Sequence, residues 1–209
     1  RCSYFSDLAD PDLPELPKSM NRLVILAVFA AFLIPTLLAT LMHSQWLDWQ
    51  PGGGRNYGEL IEPVIELEEF RVSDARGQPV SLSTLQDRWQ LIHVASGQCD
   101  DACLENLYWL RQVRLSQDRH QPEIGLLFLT PDPQSGEVHE AIYELTEDYV
   151  VLDGESAQPL LQQLPAAERQ GGFYIGDPLN NIILRYPMDA DHNGIRRDLG
   201  RLVTWTQRD

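Results

Sequence analysis

The chain has 209 residues, room for one ordinary domain plus a short appendage, and 43% of them are hydrophobic, which excludes wholesale disorder. A formal net charge of −15 excludes nucleic acid as a partner, because counterion release needs a basic face. The acidic surface keeps an exported domain soluble and also suits a basic protein or a soft cation.

Residues 1–21 contain the Pro- and Asp-rich stretch LADPDLPELPK and are expected to be a disordered cytoplasmic N-terminus. Met20, just ahead of Asn21 and Arg22, is an alternative start, so Cys2 is given no role. From Leu23 to Met42 twenty residues pass without a charge. At about 1.5 Å per residue such a helix crosses the roughly 30 Å hydrocarbon core. Pro35 is tolerable inside it, and Trp46 and Trp49 follow where an aromatic belt belongs. The span 22–45 is therefore expected to be a transmembrane anchor. A buried helix would not stay apolar all round for so long, and His43-Ser44-Gln45-Trp46 does not look like a signal-peptide cleavage site. Lys18 and Arg22 precede the span and only Arg55 follows closely, which favours a cytoplasmic N-terminus and an exported remainder.

Residues 46–66 read as linker: Gln50-Pro-Gly-Gly-Gly-Arg55 breaks the helix, and Asn56 to Pro63 continue the tether. A compact α/β pattern fills 67–209. Phe70–Ser73 and Pro79–Leu82 read as a hairpin around Gly77, and Leu91–Ala95 as a short buried strand. Residues 101–118 carry Leu104, Leu107, Leu110 and Val113 at helical spacing. Then come a strand at 124–129, a helix at 138–145, a strand at 149–152, a short helix at 159–164, a hairpin of 173–176 with 182–186, and a last helix from about Ile195 to Gln207. This order predicts a central sheet with helices on its faces, and puts the segment after the 91–95 strand at the sheet's C-terminal edge, where functional groups cluster.

At that edge stands Ser96-Gly-Gln-Cys99-Asp-Asp-Ala-Cys103. Cysteines totalling three are too few for a disulfide scaffold, so this close pair is the informative fact. With Cys99 at or near the helix N-terminus, Cys103 lies one turn away on the same face. The pair can then close a disulfide or present two thiolates to one soft metal. The helix N-terminus favours the thiolate, whereas the anions Asp100 and Asp101 oppose it. Two half-buried cysteines with no chemistry are the plain alternative.

An anchor, an α/β domain and a C-x-x-x-C at this junction resemble the Sco/SenC proteins, over roughly residues 57–209. Asn56-Tyr-Gly-Glu-Leu60, Gly97–Cys103, Leu107-Tyr108, Arg111-Gln-Val-Arg-Leu115 and Arg197-Asp-Leu-Gly-Arg-Leu202 look more closely like a Sco-related group of small anchored proteins, encoded among proteobacterial oxidase-assembly genes. The resemblance implies a thioredoxin-like α/β domain behind one transmembrane helix, in the periplasm of a bacterial inner membrane. It implies an assembly factor for cytochrome c oxidase, with oxidase subunits or other assembly factors and the lipid bilayer as partners, and Cys99 and Cys103 acting on Cu(I) or on partner thiols. Two features depart from the pattern. The histidine that completes a Sco copper site would fall near Gln170, and no histidine stands between His139 and His192. A thioredoxin would have C-x-x-C and a cis-proline where this chain has Gly171-Gly172. A membrane-tethered thiol–disulfide oxidoreductase and a non-catalytic scaffold with a structural disulfide are the alternatives.

Among the other candidates, His93 reads as a satisfied core histidine, His120 as a solvated loop residue, and His139 as a helix residue of either face. Asp189-Ala-Asp-His-Asn-Gly194 opens like an EF-hand loop, but Gly200 stands where the bidentate Glu is needed. The segment is better read as a turn into the last helix, with Asp191 or Asn193 near its N-cap and His192 as the one replacement metal ligand.

Overall fold

A computed structural model describes residues 18–42, 56–165 and 171–206, and the chain divides into one unit at 1–53 and another at 54–209. In the first unit, α1 (Lys18–Met42) begins four residues ahead of the expected anchor and carries Pro35 inside it. Its side chains are described from Arg22 to Leu37 and at Thr40, and Leu23, Phe29, Phe32 and Leu37 are exposed. Among the described residues no helix is long and apolar enough to cross a membrane. The disorder expected over residues 1–21 does not hold for Lys18, Ser19, Met20 and Asn21, which belong to α1; residues 1–17, and the roles given to Trp46, Trp49 and Arg55, lie outside the described residues.

The second unit begins with β1 (Glu59–Glu66), where the sequence suggested linker. The correction has a physical reason: β1 is an outermost strand, and such strands tolerate the charges and the proline that hide them in a sequence. It pairs antiparallel with β8 on either side of an irregular stretch between Leu60 and Ile65, which contains the cis Glu62–Pro63 peptide. The short hairpin of β2 (Arg71–Ser73) and β3 (Pro79–Ser81) is narrower than expected, since Leu82 already opens α2 (Leu82–Leu85). Gly77 holds the hairpin turn at φ +75°, and the Asp74 carboxylate accepts the N–H groups of Arg76 and Gln78.

Then follow β4 (Trp89–Val94), α3 (Asp101–Leu115), a 3₁₀ turn at Asp118–Glu123, β5 (Ile124–Thr130), α4 (Gly136–Leu145), β6 (Tyr149–Asp153), α5 (Gln158–Leu161), β7 (Gly172–Gly176), β8 (Asn181–Tyr186) and α6 (His192–Thr206). The last helix starts three residues earlier than expected, because the Asp191 carboxylate accepts the Asn193 N–H and the turn at Asp191 leads straight into the helix.

The main sheet has the order β1-β8-β7-β4-β5-β6, with β4, β5 and β6 parallel and β7 antiparallel to β4. Its central strands are buried on both faces, so β4 and β5 are mostly apolar, with Gln90, His93 and Thr130 as their buried polar members. Alternation sorts their side chains into two cores. Trp89, Leu91, Ala95, Phe128, Phe173 and Tyr186 face α3 and α6, together with Cys99 and Cys103. Ile92, Val94, Leu127, Leu129 and Tyr174 face α2, α5 and the small hairpin.

One buried carboxylate fastens the start of this unit. Asp198 on α6 accepts hydrogen bonds from the backbone N–H groups of Tyr57 and Gly58, at 2.6 and 2.9 Å, and from the Tyr186 hydroxyl at 2.9 Å. Burial and that carboxylate push the Tyr186 hydroxyl's pKa well above the usual phenol range.

Candidate functional site

The chain leaves β4 through Ala95, whose N–H still reaches the Leu129 carbonyl of β5 at 2.9 Å. The next five residues form a loop fixed by the segment that follows β5. The Thr130 hydroxyl donates to the Gly97 carbonyl at 2.7 Å, and the Gln98 amide donates to the Pro133 carbonyl at 3.0 Å. The Gln134 side-chain carbonyl accepts the Cys99 N–H at 2.8 Å, while the other end of that amide donates to Asp132. Gln134 is held in turn by its own N–H, which donates to the Asp153 carboxylate at 2.6 Å. His139 Nε2 meets the same Asp153 oxygen at 3.1 Å. None of these supporting residues carries a sequence signal, since isolated Gln, Thr and Asp in loops look alike.

Asp100 is the N-cap of α3: its carboxylate accepts the Cys103 N–H at 3.0 Å, and its carbonyl accepts the Leu104 N–H. Cys99 therefore lies just outside the helix and Cys103 in its first turn. The two sulfurs are joined in a disulfide with the Cα atoms 5.1 Å apart. Cys99 is 7% exposed and Cys103 5%, both packed in the core that α3 and α6 cover.

Gly171 and Gly172 occupy the neighbouring edge of the sheet. Gly172 pairs with Val94, and a β-carbon on it would stand 2.6 Å from the Tyr186 carbonyl, so only glycine permits this close passage. No cis peptide occurs here; among the described residues the cis bond is Glu62–Pro63. Gln170 itself lies outside the described residues.

The histidines fall in separate places. His93, in the middle of β4, is fully buried and stacked on Phe128 and Phe173, with Nδ1 at 3.2 Å from the Gly172 carbonyl. Its Nε2 has no hydrogen-bond partner among the described residues, so the expected satisfaction is only half achieved. Burial drives its pKa down to about 4, with a small further push from His192. His192 stacks on Trp109 and sets its ring edge against Phe173. Burial lowers its pKa against the opposing pull of Asp191 and Glu105. Among the described residues, no three His, Cys, Asp or Glu side chains gather as a metal-holding group, so His192 does not complete one with Cys99 and Cys103. His120, expected in solvent, is buried in the 3₁₀ turn between Arg119 and Glu123. The local Pro122 marks a loop but says nothing of its packing.

With this geometry in place, comparisons with known proteins are informative. Residues 89–205 match the family model described as transmembrane-like, thioredoxin-like, C-terminal domain. The mouse protein SCO2 homolog, mitochondrial, is 28% identical over 125 residues, which cover 58% of this chain and 47% of the relative, so the match spans about half that relative's length. In fold, the chain is similar to yeast Sco1 with copper bound, at 15% identity and TM-score 0.55, covering 67% of this chain and 93% of that one. It is also similar to BsSco, a member of the Sco family of cytochrome c oxidase assembly proteins in which a disulfide switch is identified, at 16% identity and TM-score 0.52, covering 70% and 98%. Its likeness to the Sco proteins is one of thioredoxin-like fold, and the chain belongs to the transmembrane-like, thioredoxin-like, C-terminal domain family.

Proposed function

We propose that this protein is a membrane-anchored assembly factor for cytochrome c oxidase, with its thioredoxin-like domain in the periplasm and with Cys99 and Cys103 acting on copper or on partner thiols. The observation that carries the proposal is the cysteine pair at the start of α3, on the C-terminal edge of a Sco-related domain. A dithiol reductant, itself oxidised to a disulfide, supplies the two electrons and two protons that open the Cys99–Cys103 bond to two thiols. Their thiolates, one helical turn apart, suit Cu(I), which accepts few and soft ligands, and binding releases the thiol protons. Copper is here cargo, taken up and passed on to oxidase subunits or their assembly factors.

The anchor reading is supported by the twenty uncharged residues within α1 and by the exposure of Leu23, Phe29, Phe32 and Leu37. Lys18 and Arg22 ahead of the run, against Arg55 alone shortly after it, support a cytoplasmic N-terminus in a bacterial inner membrane.

The test is a competition titration of the reduced full chain against a Cu(I) chelator. At most one Cu(I) should bind, Cys99→Ser and Cys103→Ser should each abolish binding, and Cu(II) binding should be weak. No copper binding in any redox state would remove metal delivery and leave the thiol and scaffold readings. The scaffold reading has one observation in its favour, the burial of both cysteines. A reduction potential below about −300 mV would mark a structural disulfide, and a higher one an exchangeable pair.

A further inference from the structure

Strands β7 and β8 pair with Phe173 opposite Tyr186, Tyr174 opposite Arg185 and Ile175 opposite Leu184. Carrying that register two places outward sets Met188 opposite Gly171. The thioether sulfur of Met188 indeed lies 3.5 Å from the point where a β-carbon on Gly171 would stand, and the Val94 carbonyl lies 3.4 Å from the same point. Gly171 has φ +103° and no side chain, so the space above this edge of the sheet is left to the methionine.

Met188 stands in the turn that follows β8, closed by the Ala190 N–H donating to the Pro187 carbonyl at 3.1 Å, and Ala190 at the end of that turn packs against the core that holds Phe173, Ala95, Cys99 and Cys103. Since Val94 pairs with Gly172, the next row outward is Ala95, Gly171 and Met188. That row is where the chain leaves β4 for the cysteine loop, four residues before Cys99. Met188 is 42% exposed, so its sulfur is not committed to the core. The two histidines of the same face are engaged otherwise, His93 stacked on Phe128 and Phe173, and His192 on Trp109.

We propose that Met188 is a third ligand, a thioether that joins the thiolates of Cys99 and Cys103 around Cu(I). This rests on the copper reading given above. Thiolates and thioethers are the soft donors that select Cu(I), and the unbranched methionine side chain adapts to an irregular site. A neutral donor also suits a place where two thiolates and the Asp100 carboxylate already concentrate negative charge. No electron is transferred: the two thiol protons leave, two Cu–thiolate bonds form, and the sulfur of Met188 contributes a lone pair.

The test uses the reduced full chain in detergent, loaded with one equivalent of Cu(I) without oxygen. Copper-edge X-ray absorption should show three sulfur neighbours in the wild type and two in Met188→Leu, a swap that keeps volume and hydrophobicity. Chelator competition should show that Met188→Leu weakens Cu(I) binding on the order of tenfold. Met188→His should restore affinity with one sulfur replaced by nitrogen. Thermal unfolding of the metal-free variants should match the wild type, which separates ligand loss from misfolding. Unchanged affinity and an unchanged sulfur count in Met188→Leu would overturn the proposal while Cys-dependent binding stands. A nitrogen neighbour in the wild type that disappears in His192→Gln would assign the place to His192 instead. Wild-type protein that binds no Cu(I), or binds it without Cys99, would overturn the copper reading and this ligand with it.

Discussion

His93 shows how much one residue's surroundings change its chemistry. An ordinary imidazole titrates near 6.5, whereas this one, buried in β4 with a single backbone partner, titrates at about 4. Between those values the unfolded chain binds a proton that the folded chain refuses, so stability rises with pH through this window. The neutral ring's contribution is complete above about 6.5, and falls by roughly 3 kcal/mol as pH drops to about 4. Thermal midpoints measured from pH 7 to pH 4 should fall in the wild type and fall distinctly less in His93→Gln, which has no group to protonate there. Equal slopes would show that other groups set the acid sensitivity. The histidine's burial was legible in the sequence, because Leu91-Ile-His-Val-Ala95 is an apolar run. Its unpartnered Nε2 was not, since partners come from β7 and α6, far along the chain. The same distance hid Gln134 beneath Cys99, and hid the burial of His120, whose polar neighbours suggested solvent.

Among the elements, α3 has the most informative start. Asp100 is capped onto the Cys103 N–H, so the residue that fixes the helix also fixes the second cysteine's backbone. Asp100→Ala should cost about 1 kcal/mol, read as a lower denaturant midpoint of the oxidised protein. Asp100→Asn should recover most of that loss, because asparagine caps equally well without the charge. A loss of the same size in both variants would mean that the carboxylate's charge, and not the cap, matters. Central elements were legible for a clear reason. The strands β4 and β5, buried on both faces, are dominated by apolar residues, with Gln90 and His93 the polar members of β4, and α3 shows a 3.6-residue period. The outermost strand β1 was not legible: its exposed glutamates and Pro63 read as tether, and only its pairing with β8 makes it a strand. A short piece such as α2 carries too few residues for a period to show.

For the whole molecule, the alternation of strands and helices was enough to predict a central sheet with Cys99 and Cys103 at its C-terminal edge. The rows that join Ala95, Gly171 and Met188 across that edge needed the register, which no local pattern records. The topology proposed for the full chain has a direct check. An alkaline phosphatase reporter fused after Asp209 should be active, because it matures only outside the cytoplasm; an active cytoplasmic reporter at the same place would reverse the orientation. Asp198 governs the start of the domain. Its replacement in Asp198→Ala would orphan two backbone N–H groups and the Tyr186 hydroxyl, costing about 3 kcal/mol, and amide exchange at Gly58 should quicken more than in β4. That clamp also has a mechanical meaning. Any pull transmitted along the preceding chain reaches the domain at Tyr57, and without the clamp it would peel β1 from β8 one bond at a time, starting at Glu59. With Tyr57 and Gly58 tied to Asp198, the load passes first into α6, whose Ile195, Leu199 and Val203 are embedded in the core, so the edge strand is shielded from unzipping.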